Sequence, residues 1–183
     1  LAAVAAPDRH GDGETTLTVS LAHLDFSPSD RTQQTEGPEE WVGRRWVDGS
    51  IRPGLRAADH LDLDTGDHHL DAWVLSPMLA GGRLAVFGDT ARYASMGDRR
   101  IGSLTDTGDA VTLLVYGVPD EVVTVHGWSV GVAPSASTWA SGPALDADTV
   151  VDVRFEAGGQ GHVEWTADVV VGIDGWTRLR VVP

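Results

Sequence analysis

Hydrophobic and polar residues alternate with a period of two along most of the chain from residue 15 onward, and turn residues interrupt the alternation at short intervals. Such alternation places successive side chains on opposite faces of a strand, whereas an amphipathic helix repeats every 3.6 residues. No segment sustains the helical period. The pattern therefore predicts an all-β chain, and short strands with frequent turns are typical of an antiparallel β-sandwich, here of about ten strands.

Eleven segments carry the strand pattern, and the turns between them are rich in Gly, Asp and Pro. These residues supply the positive φ angles or the preset φ that tight hairpin turns require. The predicted strands cover residues 15–21, 40–47, 59–64, 70–79, 83–89, 99–106, 110–117, 121–129, 150–157, 161–171 and 176–182.

Two stretches break the alternation, residues 22–39 and 130–148, and both are rich in Ser, Thr, Pro, Asp and Gly. This composition predicts long surface connections. We expect one sandwich domain over residues 15–183 and a disordered or linker-like segment over residues 1–14. The chain begins with Leu1 and lacks the basic flank of a signal peptide, so we expect it to be a piece of something longer.

The chain is strongly acidic, with 27 Asp and Glu residues, 13 basic residues that are all arginine, and a net charge of -14. Nucleic acid and anionic membranes are therefore not expected as partners, because both need a cationic face. The composition fits either a GC-rich genome or adaptation to salt. There is no cysteine, which excludes disulfides and thiolate metal sites but leaves the compartment open, cytoplasmic or secreted.

The stretch HLDLDTGDHHLD, residues 60–71, has the composition of a metal site. An EF-hand loop counted from Asp62 would need glycine at its sixth position and glutamate at its twelfth, which are Asp67 and Trp73 here. The stretch does not fit a zinc site either, because the adjacent His68 and His69 would point to opposite sides of a strand and could not bind one ion together.

The alternation in this stretch predicts a hairpin whose inner face is formed by Leu61, Leu63 and Leu70, while the charged residues face water. We predict no metal and no cofactor. A weak calcium candidate remains in the turn, formed by Asp62, Asp64 and Asp67.

Seven tryptophans are the other conspicuous feature of the chain. Three of them stand inside apolar strands and are expected to fill the core. Others are candidates for exposed rings that stack on sugars. The core set is Trp73, Trp128 and Trp165; the carbohydrate-binding candidates are Trp139, which stands in a polar stretch, and then Trp41 and Trp46.

No catalytic residue is predicted. With 27 acidic residues some carboxyl pair will always reach the separation that a glycosidase needs, so the sequence cannot nominate one. The chain contains no G-x-S-x-G elbow, no phosphate-binding glycine loop before a helix and no H-E-x-x-H.

Residues 70–129 carry a collinear set of short motifs: Ser76-Pro77 at the end of a strand, Gly81-Gly82 in a linker, Val86-Phe87-Gly88 in the next strand, and then Tyr93. In this order they resemble the C-terminal region of the raffinose synthase and seed-imbibition-type α-galactosidase group of glycoside hydrolases. The resemblance extends over about residues 15–183 and ends on WTRLRVV. It implies a C-terminal antiparallel β-sandwich that follows a catalytic (β/α)₈ barrel. Neither catalytic motif of that barrel is present.

Three functions remain open. The first is a non-catalytic accessory sandwich that packs against and stabilises the catalytic barrel of the same parent protein. The second is a free-standing carbohydrate-binding module that uses exposed tryptophans, and the third is a structural cell-surface interaction domain. An exposed apolar patch would favour the first, and an aromatic groove with polar neighbours would favour the second.

Overall fold

The computed structural model describes residues 2–5, 16–21, 40–64, 71–91, 100–140, 149–157 and 161–183. Their regular structure is almost entirely antiparallel β-sheet, which confirms the predicted fold class. The described part of the chain contains fifteen strands, and none of its helices is long and apolar enough to span a membrane. The contacts divide the chain into two compact units, Leu1–Met78 and Leu79–Pro183.

The first unit contains a four-stranded sheet in the order β1-β6-β3-β4 and a two-stranded sheet of β2 and β5. Its core consists mainly of leucine and tryptophan side chains from both sheets. The strands are β1 (Ala2–Ala5), β2 (Thr16–Ser20), β3 (Trp41–Arg45), β4 (Ile51–Leu55), β5 (His60–Asp64) and β6 (Ala72–Pro77). The core residues are Leu21, Trp41, Leu55, Leu61, Leu63, Trp73 and Leu75.

The second unit contains a four-stranded sheet in the order β13-β14-β10-β7 and a five-stranded sheet in the order β12-β11-β15-β9-β8. Buried residues of both sheets form one core cluster. The strands are β7 (Leu84–Gly88), β8 (Ile101–Asp106), β9 (Val111–Tyr116), β10 (Val122–Val130), β11 (Ser135–Ala140), β12 (Thr149–Val151), β13 (Val153–Ala157), β14 (His162–Val170) and β15 (Trp176–Val182).

The core of the second unit is built by strict alternation. In β9 the residues Val111, Leu113 and Val115 are buried, and in β15 the residues Leu179 and Val181 are buried. These side chains meet Val123, Val125, Trp165, Ala167 and Val169 of the four-stranded sheet in the same cluster. Because inward positions alternate with outward ones, the outward side chains of β9 and β15 must lie on the opposite face of their sheet.

All eleven predicted strands are present, with ends that shift by one or two residues. The predicted run 150–157 is divided at Asp152: β12 pairs with β11 in the five-stranded sheet, and β13 pairs with β14 in the other. Hydrophobic and polar residues alternate without interruption through residues 151–157, although the segment belongs to two sheets. A strand that passes from one sheet to another keeps its pattern of apolar residues, so the sequence does not reveal the division.

Three strands were not predicted. Strand β4 contains Pro53 and a Gly54 with a positive φ of 70°, and it is an edge strand with an irregular register against β3. An edge strand tolerates both residues because one of its sides needs no partner. Strand β11 lies inside the predicted connection 130–148, and β1 lies inside the predicted linker 1–14.

The predicted hairpin around residues 60–71 is wrong. Strand β5 pairs with β2, with Val19 opposite Leu61, and β6 pairs with β1 and β3. The alternation itself is confirmed where it is described, because Leu61 and Leu63 are fully buried while Asp62 is exposed. Leu70 and the connection 22–39 lie outside the described residues, and the single-domain boundary at residue 15 stays a prediction.

Candidate functional site

The outward face of the five-stranded sheet in the second unit displays an unusual set of side chains. Strand β15 places Trp176, Arg178 and Arg180 outward, since Thr177, Leu179 and Val181 are buried between them. Strand β9 places Tyr116 outward, with 39% of the residue exposed. We call Tyr116, Trp176, Arg178 and Arg180 the aromatic–arginine face.

The two aromatic residues of this face are neighbours across the sheet. Tyr116 and Trp176 are directly opposite one another in the antiparallel pairing of β9 and β15. Directly opposed residues lie on the same face with their Cβ atoms about 4.5–5.5 Å apart. The two rings therefore form one aromatic row at the end of both strands.

The ring of Tyr116 is held over the neighbouring strand β8. A Cβ atom on Gly102 would lie 2.8 Å from the Tyr116 Cδ2 atom and closer still to Cε2. The register between β8 and β9 is irregular between Ile101 and Ser103, which makes Gly102 the extra residue. The glycine thus leaves room for the Tyr116 ring, which a side chain at position 102 would displace.

The two arginines continue the face along β15. Arg178 is half-buried and stands opposite Leu114 of β9, and Arg180 is exposed and stands opposite Thr112. On the other side of β15, the register places Trp139 opposite Arg178 and Ser137 opposite Arg180. In the described strands of this sheet, no outward position holds a carboxylate.

The three tryptophans predicted to bind carbohydrate have different positions. Trp139 is in β11, where its backbone pairs beside the aromatic–arginine face, but its side chain lies outside the described residues. Trp46 is half-buried in the turn after β3. Trp41 is only 5% exposed and lies in the core of the first unit, which corrects the expectation of an exposed ring there.

The predicted core positions of the other tryptophans are confirmed. Trp73, Trp128 and Trp165 are all buried, with Trp165 only 1% exposed. The ring of Trp128 lies 4.6 Å from that of His162 between centroids. The indole Nε1 atoms of Trp73 and Trp165 have no hydrogen-bond partner in the described structure, so each ring is buried at the cost of one unsatisfied donor.

The weak calcium candidate gains no support from the residues that can be described. Asp62 is exposed, and its Oδ1 atom accepts a hydrogen bond of 2.8 Å from the Thr18 hydroxyl. Asp67 and the Asp64 side chain lie outside the described residues. In the described ranges no three His, Asp or Glu side chains are grouped to hold a metal ion.

Two arginine–carboxylate forks stabilise the units rather than form reactive centres. Arg45 donates to both oxygens of the buried Asp71, at 2.9 and 2.7 Å. Arg100 donates from Nη1 and Nη2 to the two oxygens of Glu121, at 2.6 and 2.7 Å, with Asp89 4.0 Å away. Such bidentate pairs fix the geometry of both side chains and favour the charged form of the carboxyl group. Neither carboxyl is therefore suited to act as a general acid.

A second notable surface lies at one end of the second unit, at the connections that lead from β9 to β10 and from β14 to β15 between its two sheets. Val118, Val122, Val170 and Ile173 are 56–78% exposed. Val122 and Val170 are opposed in the pairing of β10 and β14, and the two connections are joined by a 3.1 Å hydrogen bond from the Gly117 amide to the Gly175 carbonyl. We call these four residues the apolar tip.

Sequence reasoning placed Tyr116 and Trp176 correctly in strands but did not identify their shared face. The alternation in WTRLRVV was sufficient to separate Trp176, Arg178 and Arg180 from the buried residues. The pairing with Tyr116 depends on the register between β9 and β15, which no local pattern contains. Neither a protein-family model nor a curated protein sequence matches the chain.

Proposed function

We propose that this chain is a non-catalytic carbohydrate-binding β-sandwich whose binding surface is the aromatic–arginine face. The observation that carries the proposal is the row of Tyr116 and Trp176 on the outward face of a sheet, where Trp176 is half-buried and Tyr116 is 39% exposed, with Arg178 and Arg180 on the same face. An aromatic ring offers a flat apolar surface that fits the C–H face of a sugar ring, while polar neighbours bind its hydroxyls.

The strand geometry fits an extended ligand. Alternate residues of a strand are about 6.6–6.8 Å apart, so Trp176, Arg178 and Arg180 form a straight row along β15. A sugar chain that lies along this row would contact a ring first and then two hydrogen-bonding cations.

Binding measurements with soluble polysaccharides test this function. We expect Trp176→Ala and Tyr116→Ala each to weaken binding about tenfold, because each removes a ring from the centre of the contact. Phe155→Ala is the matched control, since Phe155 is an exposed aromatic residue of β13 in the other sheet. Absence of binding to a panel of neutral and charged polysaccharides at about millimolar sugar, or equal loss in the control, would refute the proposal.

The apolar tip favours a second candidate function, an accessory sandwich that packs against the catalytic barrel of a glycoside hydrolase. Val118 and Ile173 are 69% and 78% exposed, and apolar side chains grouped in this way are typical of a surface that contacts another domain. The resemblance to the α-galactosidase and raffinose synthase group supports the same role.

The complete gene tests the second candidate. We expect the reading frame to encode a barrel ahead of this chain, and Val118→Asp with Ile173→Asp to lower the thermal stability of the complete protein but not of this chain alone. A reading frame that encodes no barrel, or equal effects in both proteins, would refute this role. The apolar tip and the aromatic–arginine face share no residue, so substitutions test the two functions separately.

A further inference from the structure

We infer that the polysaccharide bound by the aromatic–arginine face is anionic, with carboxylate or sulfate groups on its sugars. This inference rests on the proposed function and adds the chemical class of the ligand. It follows from the charges of the face rather than from its rings.

The face differs in charge from the chain as a whole. The chain has 27 acidic and 13 basic residues, yet the charged side chains at outward positions of the described strands in this sheet are Arg178 and Arg180. Asp174 is the nearest acidic residue along the chain, and it lies in the turn before β15. The outward positions of these strands therefore present positive charge, and a ligand with negative charge is favoured there.

The arginines are also suited to anions by their chemistry and position. A guanidinium group binds a carboxylate with two parallel hydrogen bonds and is more weakly hydrated than an ammonium group. Arg180 is exposed, and its cross-strand neighbours Thr112 and Ser137 are small and uncharged. Nothing of opposite charge therefore stands directly beside it on β9 or β11.

The alternation of inward and outward residues along β15 explains how the sugar ring and the negative charge of the ligand are recognised together. A chain whose sugar ring stacks on Trp176 places its following residues over Arg178 and Arg180, which stand on the same face of the strand. The rings thus recognise the sugar, and the arginines recognise the charged group that each repeat carries. A nucleic acid fits less well, because its binding usually engages several more phosphates than two arginines can neutralise.

The test compares polysaccharides that share a backbone and differ in charge. Polygalacturonate is measured against its fully methyl-esterified form, and a sulfated galactan against its desulfated form, by isothermal titration calorimetry with the intact chain. Oligo-dT is the nucleic-acid arm. The variants are Arg180→Gln and Arg178→Gln, and Arg154→Gln is the control because Arg154 is an exposed arginine on β13 of the other sheet.

We expect one anionic form to bind about tenfold more tightly than its neutral counterpart, with that gain lost in Arg180→Gln, reduced in Arg178→Gln and kept in Arg154→Gln. The gain should also fall steeply at about 0.5 M NaCl. The pair that shows the gain identifies carboxylate or sulfate as the recognised group. Circular dichroism verifies that each variant is folded.

Three results would overturn the inference. Equal binding of charged and neutral forms that still depends on Trp176 would refute the anionic ligand and leave the proposed carbohydrate function intact. Tighter binding of oligo-dT than of either anionic polysaccharide would show that the face prefers a nucleic acid to an anionic polysaccharide. Failure of every polysaccharide, charged or neutral, would refute the proposed function and this inference together.

Discussion

The ring of Tyr116 lies directly over Gly102, so closely that a single methyl group at position 102 would overlap it. The two residues are on neighbouring strands of the five-stranded sheet, and the irregular register of β8 presents the glycine to the ring. This contact fixes the orientation of one of the two rings in the aromatic–arginine face, and it can be tested without changing either ring.

We expect Gly102→Ala to displace the Tyr116 ring and weaken carbohydrate binding several-fold, while stability falls by less than about 1 kcal/mol because the exposed ring can turn toward solvent. A double-mutant cycle with Tyr116→Ala measures the coupling. Once the ring is absent, the added methyl group should have no further effect on binding. Additive losses would show that Gly102 acts independently of Tyr116.

Gly127→Ala should behave differently although it also places a methyl group under a ring. Trp165 stands opposite Gly127 and is only 1% exposed, and a Cβ at 127 would overlap its indole and lie 2.6 Å from the Ala85 carbonyl oxygen. Neither neighbour can move into solvent, so we expect a loss of about 2 kcal/mol or more. Urea denaturation measures it, and a cost no greater than that of Gly102→Ala would contradict this packing.

The fork between Arg45 and Asp71 should be important for the stability of the first unit. Asp71 is 1% exposed, so Arg45→Leu leaves a buried carboxylate without its bidentate partner. We expect a loss of about 3 kcal/mol in thermal or denaturant unfolding. Arg56→Leu is the control, because its pair with Glu40 is exposed, and its cost should stay below about 1 kcal/mol. Similar costs for both variants would contradict the buried role.

The pKa of the Asp48 carboxyl should lie below the ordinary value for aspartate. The Ser50 amide donates 2.9 Å to its Oδ1 atom, and this bond, with a smaller contribution from the charge of Arg45, lowers the pKa of Asp48 below its ordinary value. A carboxyl with a lowered folded-state pKa stabilises the fold above about pH 4, and the contribution is lost as pH falls through the lowered pKa.

A carbon-detected NMR titration of the Asp48 carboxyl measures this pKa directly. The stability difference between the native chain and Asp48→Asn should be present at neutral pH and decrease as the pH falls through the lowered pKa of Asp48. A titration midpoint at or above the ordinary value for aspartate would contradict the role of the Ser50 amide.

The strands that could be predicted are those whose burial is regular along the sequence. In β9 and β15 each second residue enters the core, so the period of two is visible without knowledge of the partners. Strand β11 has the sequence SASTWA and owes its structure to pairing with β12 and β15 on its two sides. Such pairing depends on the neighbouring strands of the sheet. The small polar residues of β11 show no sustained alternation from which a strand could be predicted.

The candidate site could be predicted only in its parts. Carbohydrate binding through exposed tryptophans was expected, but Trp41 turned out to fill a core, since its neighbours in space are Leu55 and Leu75 from other strands. Trp176 and Tyr116 carried no signal of their own, because they are far apart along the chain and meet only through the register of β9 and β15. Register is set by long-range packing, which a local pattern does not contain.

Strand β15 lies between β11 and β9, at the centre of the five-stranded sheet. Strands β8, β9, β11 and β12 are synthesised before β15, and in this sheet they can pair only as two separate ribbons, each with an unpaired edge that β15 later occupies. When β15 pairs with both ribbons, the five-stranded sheet is complete. The same step buries Leu179 and Val181 in the core and places Trp176, Arg178 and Arg180 on the outward face. Nascent chains that lack β15 should therefore be neither folded in this unit nor able to hold a ligand, and their open edges are where a chaperone would be needed.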